Sequence, residues 1–447
     1  MPDGTWGFLS VDKRPSSCVI GAGSSGIAVC KALYERGLAF DCFELSDDVG
    51  GVWYYQNPNG LSAAYRSLHI NTSKQIMQFS DFPMPEHWPV YTHHEHIHEY
   101  FRSYVDHFGF RDKITFNTGA KHCSRREDGR WDVTLSTGET RQYDCLFVCN
   151  GHHWDPRWPE PPFPGEFNGT VMHAHVYRTP EFLSGKRLLL LGLGNSAMDI
   201  AVEASYLAER VYLAARRGTY VFPKYLWGVP TDHWLRPWAP SWLAQPLFSF
   251  MLRVQQGRVE NYGLPKPEHA LMQAHPTISS TILDRIGHGT IVPKANIASL
   301  EGDRVRFVDG TTEAVDVIIY CTGYKVTFPF FDEDFISAPD NDLPLYRRML
   351  KPGMENLFFI GLYQPLGAIF PLAEVQAQIG AEYLCGRYAP PTQEEMERDM
   401  ASERAKMFGR YVKSKRHTMQ VDYYPFMKQL KRELVQGAAR ARRTRPK

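Results

Sequence analysis

Twice in this 447-residue chain a short apolar run breaks into closely spaced glycines and then into a helix-like pattern. Residues 19–26 read VIGAGSSG and residues 188–199 read LLLLGLGNSAMD. Each is the pattern of a β-strand turning tightly into a helix, and two of them commit the chain to two doubly wound α/β units. In the first, Gly21, Gly23 and Gly26 stand at G-x-G-x-x-G spacing. The first glycine permits the turn, the second lets the backbone approach a pyrophosphate, and the third lets helix and strand pack closely. The helix N–H groups are then aimed at phosphate, with Ala22, Ser24 and Ser25 completing the cradle. A second strand-like run, FDCFELS, ends at Glu44, about 20 residues on, where a carboxylate accepts both hydrogen bonds of a ribose diol.

The second motif repeats the shape with a difference. Gly192 and Gly194 are followed by Asn195, Ser196, Ala197, Met198 and Asp199, so that alanine stands where the third glycine is expected. The next strand-like run, RVYLAARRG, ends on Arg216 and Arg217 in place of an acid. A guanidinium grips a 2′-phosphate with two parallel charge-assisted hydrogen bonds, whereas a carboxylate would repel it. The alternative for these arginines is a solvated strand end. One site for a ribose diol and one for a 2′-phosphate suit a resident and a visiting dinucleotide, and the natural pair is FAD and NADPH.

Charge and cysteine usage narrow the partners. The 50 basic and 49 acidic residues leave a net charge of +1, against the broad positive field that nucleic-acid binding requires. The eight cysteines show no C-x-x-C pair, which disfavours a flavin disulfide reductase and reads as buried core in a reducing compartment. The first residues lack the apolar core of a signal peptide, and no apolar run approaches the roughly 18 to 20 residues of a spanning helix. The expectation is a soluble, cytoplasmic protein without an integral membrane segment. The basic end, GAARARRTRPK, reads as a solvated, partly disordered tail.

Two later apolar runs, VDVIIYCTGY at 315–324 and NLFFIGLY at 356–363, look like closing strands of the first unit. The inferred architecture is an FAD domain split into residues 1–173 and 304–447, with an NADP domain inserted at 174–303. The proline-rich stretch DPRWPEPPFPGEFNG suits the crossing linker. Residues 219–254, with Trp227, Trp234, Trp238 and Trp242, suit either a substrate entrance or partner surface, or a helical excursion packed on its own domain. His94-Glu95-His96-Ile97-His98 is a formal H-E-x-x-H match, which makes a zinc protease a remote second class, because no third ligand is identifiable.

Between the two motifs, FNGTVMHAHVYR sets Phe167, Gly169, His173, Tyr177 and Arg178 in an F-x-G-x-x-x-H-x-x-x-Y-R pattern. Here the chain resembles the flavin-containing monooxygenases of the soluble bacterial type, and GAGSSG, ELSDDVGGVW, LHINTSKQIMQFSDFPMP, GLGNSAMDIA, CTGY and FIGLYQPLGA fall in that family's order. The related Baeyer–Villiger monooxygenases carry tryptophan at the position of Tyr177, which favours attack on nitrogen or sulfur over oxygen insertion into ketones. The resemblance implies that NADPH reduces FAD, that a flavin hydroperoxide forms with molecular oxygen, and that it oxygenates a small amine or sulfide. It also implies that Val52, Trp53, Asn71 and Thr72 contact FAD, that Ile70 and Asn71 meet the nicotinamide cofactor, and that Ser196 to Asp199 line the NADP site. Thr322 and Gly323 of CTGY are further cofactor candidates, and Gln364 is placed near the flavin. Asn71 is the candidate catalytic residue, a neutral amide that hydrogen-bonds an oxygenated flavin without delivering a proton. His173 reads as packing between domains. No metal is implied. An uncoupled NADPH oxidase, ketone oxygenation and a redox sensor remain as alternatives, and a homodimer would be unsurprising.

Overall fold

The structure, a computed structural model, describes residues 15–234, 241–336, 338–410 and 417–444. Two five-stranded parallel sheets organise it. The first has the order Leu357–Phe359, Cys145–Val148, Ser16–Ile20, Ala39–Phe43, Ile114–Thr115. These runs are nearly continuously apolar because both sheet faces are covered. Along Ser16–Ile20, alternate side chains go to opposite sides. Val19 packs with the helices Ser24–Tyr34 and Phe370–Leu384, while Cys18 and Ile20 pack under the antiparallel meander Ala120–Arg125, Trp131–Leu135 and Thr140–Tyr143.

The second sheet has the order Thr170–His173, Val317–Tyr320, Arg187–Leu191, Arg210–Ala214, Ile291–Lys294. Leu188 and Leu190 pack against the helix Asn195–Ala204, and Leu189 and Leu191 pack under a four-stranded sheet holding Val305 and Phe307. The strand Val317–Tyr320, expected to close the first sheet, instead lies between Thr170–His173 and Arg187–Leu191 of the second. The apolar sequence fits the centre of either sheet, and only the pairing decides. The second unit therefore draws strands from both sides of residues 174–303. Leu357–Phe359 does pair in the first sheet, with Cys145–Val148.

The basic end also differs from expectation. Residues Tyr423–Thr444 form a helix docked on the first unit, with Leu430, Glu433 and Ala441 buried. A Cβ on Gly437 would lie 2.0 Å from the Tyr388 ring, so the helix comes close enough that only glycine fits there. Tyr346 and Tyr388 donate their hydroxyls to Glu433 at 2.6 and 2.8 Å. Arg432, Arg442 and Arg443 are exposed, whereas Arg440 turns inward and donates to Glu433 and, at 2.8 Å, to Ala389 O. Trp238 of the tryptophan-rich stretch lies outside the described residues; Trp227 is exposed, and Trp234 is half-buried against Phe222, Leu226 and Phe248. Among the described residues no helix is long and apolar enough to cross a membrane.

Candidate functional site

The two glycine turns are built alike. Gly21 N–H donates to Phe43 O at 2.8 Å, and Gly192 N–H donates to Ala214 O at 2.9 Å. Cys149 N–H bonds Ile20 O, and Cys321 N–H bonds Leu191 O, each at 2.9 Å. Gly21 and Gly192 have φ of +95° and +132°, and a Cβ on them would stand 2.8 Å from Cys149 O and 2.6 Å from Cys321 O. The helices after the turns are capped by Gly23 and Gly194, neither with a side-chain cap. Their first N–H donors are left for an anion, as a dinucleotide pyrophosphate requires. A Cβ on Gly26 would meet Gly21 O at 1.8 Å, whereas Ala197 holds the matching place, fully buried, in the second turn.

Because the two turns share their spacing, register identifies equivalent residues. Glu44 follows Phe43, and Ala215 follows Ala214 in the same place. Glu44 is buried and accepts from Ala22 N–H at 2.6 Å and Ser46 N–H at 2.8 Å. Burial raises its pKa, and these backbone donors oppose the rise. Arg216 and Arg217 lie beyond the strand end, exposed and without an ion-pair partner among the described residues.

The Gly51–Trp53 turn lies against the first loop: a Cβ on Gly23 would be 3.6 Å from Gly51 Cα, and Gly50 N–H donates to Ala22 O at 3.2 Å. Val52 and Trp53, both half-buried, are carried there with it. The Asn71 loop is pinned from beneath. Lys74 is buried, and its ammonium donates to Pro85 O, Glu86 O and Trp88 O at 2.7, 2.8 and 2.7 Å. Buried Ile70 bonds Thr92 O at 3.0 Å, and Thr72 Oγ1 donates to Gly367 O at 3.3 Å. This last bond joins the loop to the Gln364–Leu366 strand, where Gln364 Nε2 is 3.3 Å from His153 Nε2. Asn71 itself is half-buried, and its amide makes no hydrogen bond to a described residue.

The linker pattern fastens the two units together. Tyr177 hydroxyl donates to Glu203 at 2.8 Å, and Tyr65 hydroxyl donates to Asp199 at 2.5 Å, so two tyrosines grip one face of the Asn195–Ala204 helix. Burial pushes the Asp199 carboxyl up to about 6. Arg178 donates to the carbonyls of Ser62, His175 and Tyr177 at 2.9, 2.7 and 2.9 Å. His173 is held down to about 4 by burial and is therefore neutral; its Nδ1 accepts His175 N–H at 3.0 Å between the rings of Trp158 and Tyr324. Half-buried Phe167 ends the strand Gly165–Phe167, and a Cβ on Gly169 would stand 2.4 Å from Asp316 O. Thr322 Oγ1 donates to Arg157 O, and Gly323 turns the chain at φ +83°. Tyr65 and Glu203 carry no local signal, because their partners stand 134 and 26 positions away.

The H-E-x-x-H stretch forms no zinc site of the protease kind. His94 lies tilted against Tyr55 with Nε2 3.2 Å from Arg66 O, whereas His98 stacks on Tyr54 with Nε2 3.4 Å from Asp48. Among the described residues the donor atoms that converge are those of His93, His94 and Glu95, and both imidazole Nε2 atoms there already face Arg66 O. All eight cysteines are free.

Two parallel sheets, each with a glycine turn opening onto a helix without a side-chain cap, define the class of protein with two dinucleotide-binding domains. Residues 14–438 match the family described as flavin-binding monooxygenase-like, and the chain belongs to that family. It is 38% identical over 434 residues to flavin-containing monooxygenase 5 of Rattus norvegicus, covering 92% of this chain and 81% of that protein. It is 36% identical over 430 residues to dimethylaniline monooxygenase [N-oxide-forming] 2 of Oryctolagus cuniculus, covering 91% and 80%. Its fold matches cyclohexanone monooxygenase from Rhodococcus sp. Phi1 bound to NADP+ with a TM-score of 0.72 at 18% identity, covering 96% and 98%. The protein is an oxidoreductase that uses FAD, NADPH and molecular oxygen.

Proposed function

We propose that this enzyme oxygenates soft nucleophiles, amine nitrogen to the N-oxide and sulfide to the S-oxide. The observation that carries the reading is Asn71: a neutral amide with no described partner, on a loop pinned by Lys74 and tied to Gly367 through Thr72. An amide in that state donates and accepts hydrogen bonds toward a bound isoalloxazine without releasing a proton. Bound FAD supplies the hydride acceptor and the oxygen-activating ring. The chain supplies the rest. Ala22 to Gly26 and Glu44 hold the FAD pyrophosphate and ribose, with Val52, Trp53, Thr72 and Gln364 nearer the ring. Gly192 to Asp199 hold the NADP pyrophosphate, Arg216 and Arg217 its 2′-phosphate, and Thr322 and Gly323 close the far side of that loop. The NADP unit, on this reading, is the second sheet with its strands Thr170–His173 and Val317–Tyr320, inserted into a split FAD unit.

Tyr177 supports nitrogen and sulfur over ketones, as does the N-oxide-forming relative. The test is product analysis with N,N-dimethylaniline, thioanisole and cyclohexanone under NADPH and air. N-oxide and sulfoxide in proportion to NADPH used, with little lactone, are expected. Lactone as the main product would replace the reading with ketone oxygenation, and hydrogen peroxide alone would leave an oxidase.

A further inference from the structure

Between Arg210–Ala214 and Ile291–Lys294 the second unit makes a long excursion, and the short helix Thr231–Trp234 within it leaves its own unit to meet the first. One carboxylate oxygen of Asp232, Oδ2, accepts both the N–H and the hydroxyl of Ser73, each at 2.7 Å. His233 Nε2 lies 3.3 Å from the same hydroxyl. Ser73 is fully buried and stands at the N-cap of Lys74–Met77, two residues after Asn71. A serine at that position ordinarily turns its oxygen onto its own helix. Here it makes no such bond and donates outward to the other unit. A second bond runs alongside: Tyr91 hydroxyl donates to the backbone oxygen of Lys224 on the same excursion, and Thr231 N–H bonds that oxygen at 2.9 Å. Thus the Asn71 loop is held from the first unit through Thr72 to Gly367 and from the second through Ser73 to Asp232.

We propose that Asp232 is a positioning residue for Asn71: the nicotinamide-side unit reaches across and sets the loop that presents the amide, so that the two units move the amide together. This rests on Asn71 being the group that faces the flavin. A charged acceptor shared by two donors is stiffer than either bond alone, and a carboxylate reaches that geometry where a neutral cap on the local helix would not bridge the units. Asp232 touches no reacting atom, and its effect passes through Ser73.

The experiment uses the FAD-loaded full chain with Asp232→Ala, Asp232→Asn, Ser73→Ala and, as a control, Asn71→Ala. Three quantities are read: hydrogen–deuterium exchange of the 70–78 segment without NADPH, hydrogen peroxide released per NADPH oxidised with an amine present, and the Kd for NADP+ from flavin absorbance. Asp232→Ala is expected to speed exchange at the Ser73 amide at least tenfold and to raise the peroxide share at least fivefold, with Kd within threefold. Asp232→Asn keeps an oxygen acceptor and restores both toward the starting values. Ser73→Ala, which keeps the N–H bond, falls between and carries the test if the alanine at 232 fails to fold. Faster exchange with an unchanged peroxide share would make Asp232 a tether only, and unchanged exchange would show that the bond is not held in solution; either overturns the proposal. If Asn71→Ala itself leaves the peroxide share unchanged, the reading of Asn71 fails and the proposal with it, while the exchange result still reports the contact.

Discussion

Glu44 and Ala215 stand at the same register position of the two units, and that one difference removes the acid that would repel a 2′-phosphate. On the proposed reading, the exposed Arg216 and Arg217 offer that phosphate a partner. Replacing both by alanine is expected to lower kcat/KM for NADPH at least about tenfold, equivalent to about 1.4 kcal/mol, and to leave NADH within twofold. Steady-state rates with the two nicotinamides decide it, and an equal loss with both would place the arginines in folding. The third positions of the two turns make a sharper pair. Gly26→Ala drives a methyl to 1.8 Å from a backbone oxygen that cannot swing away, so the purified protein is expected to come out colourless. Ala197→Gly relieves nothing and costs about 1 kcal/mol of helix propensity, with KM for NADPH within threefold of its starting value. A yellow Gly26→Ala protein with full FAD content would contradict the close packing.

At the scale of elements, Lys74 shows how a loop is fixed without secondary structure of its own. Its three donors satisfy three carbonyls of the Pro85–Trp88 stretch. Lys74→Met would leave the buried Trp88 O without its donor, whereas Pro85 O keeps the Trp88 N–H and Glu86 lies at the surface, at a cost on the order of 2 kcal/mol by urea unfolding. A loss below about 1 kcal/mol would mean that water replaces the ammonium there. Nothing in INTSK announces this role, because the carbonyls belong to a segment whose proximity only the fold creates. The same limit governs what the sequence could reveal elsewhere. The glycine turns were legible because their chemistry is local: turn, strand and helix lie within one stretch of chain. Val317–Tyr320 was legible as a buried strand but not as a member of the second sheet, since four apolar residues carry no period that names a partner. The C-terminal helix is masked in the sequence because arginine density dominates the chain's end, while Leu430, Glu433 and Ala441, its buried side, recur at helical spacing. Tyr65 and Asp199 are 134 positions apart, and their bond could not be foreseen from either.

For the whole molecule, the hydrogen bond from Tyr65 to Asp199 joins the two units through a titratable group, so their union responds to pH. Asp199 takes its hydrogen bond from Tyr65, with Lys224 and Glu203 nearby, and burial raises it to about 6 from the usual carboxylate range. A raised acid binds its proton more tightly in the folded chain, so its contribution is full below about 4 and is lost as pH rises through about 6. His94 and His173, each held down to about 4 by burial, act in the opposite sense. They stay neutral when folded, and their contribution is present above about 6.5 and lost as pH falls toward 4. Acidification therefore weakens the fold through the two histidines while Asp199 offsets part of the loss. Asp199→Asn fixes the uncharged form and keeps an acceptor for Tyr65. Relative to the unchanged protein it is expected to be equal in stability near pH 4.5 and to gain with rising pH. The gain reaches the order of 1 kcal/mol at pH 7.5, since solvent reaching this half-buried carboxylate screens the rest. Urea midpoints of the two proteins at both pH values measure it. A difference that does not grow between pH 4.5 and 7.5 would mean that Asp199 titrates as an ordinary carboxylate and that the Tyr65 bond joins the units with the same strength across that range.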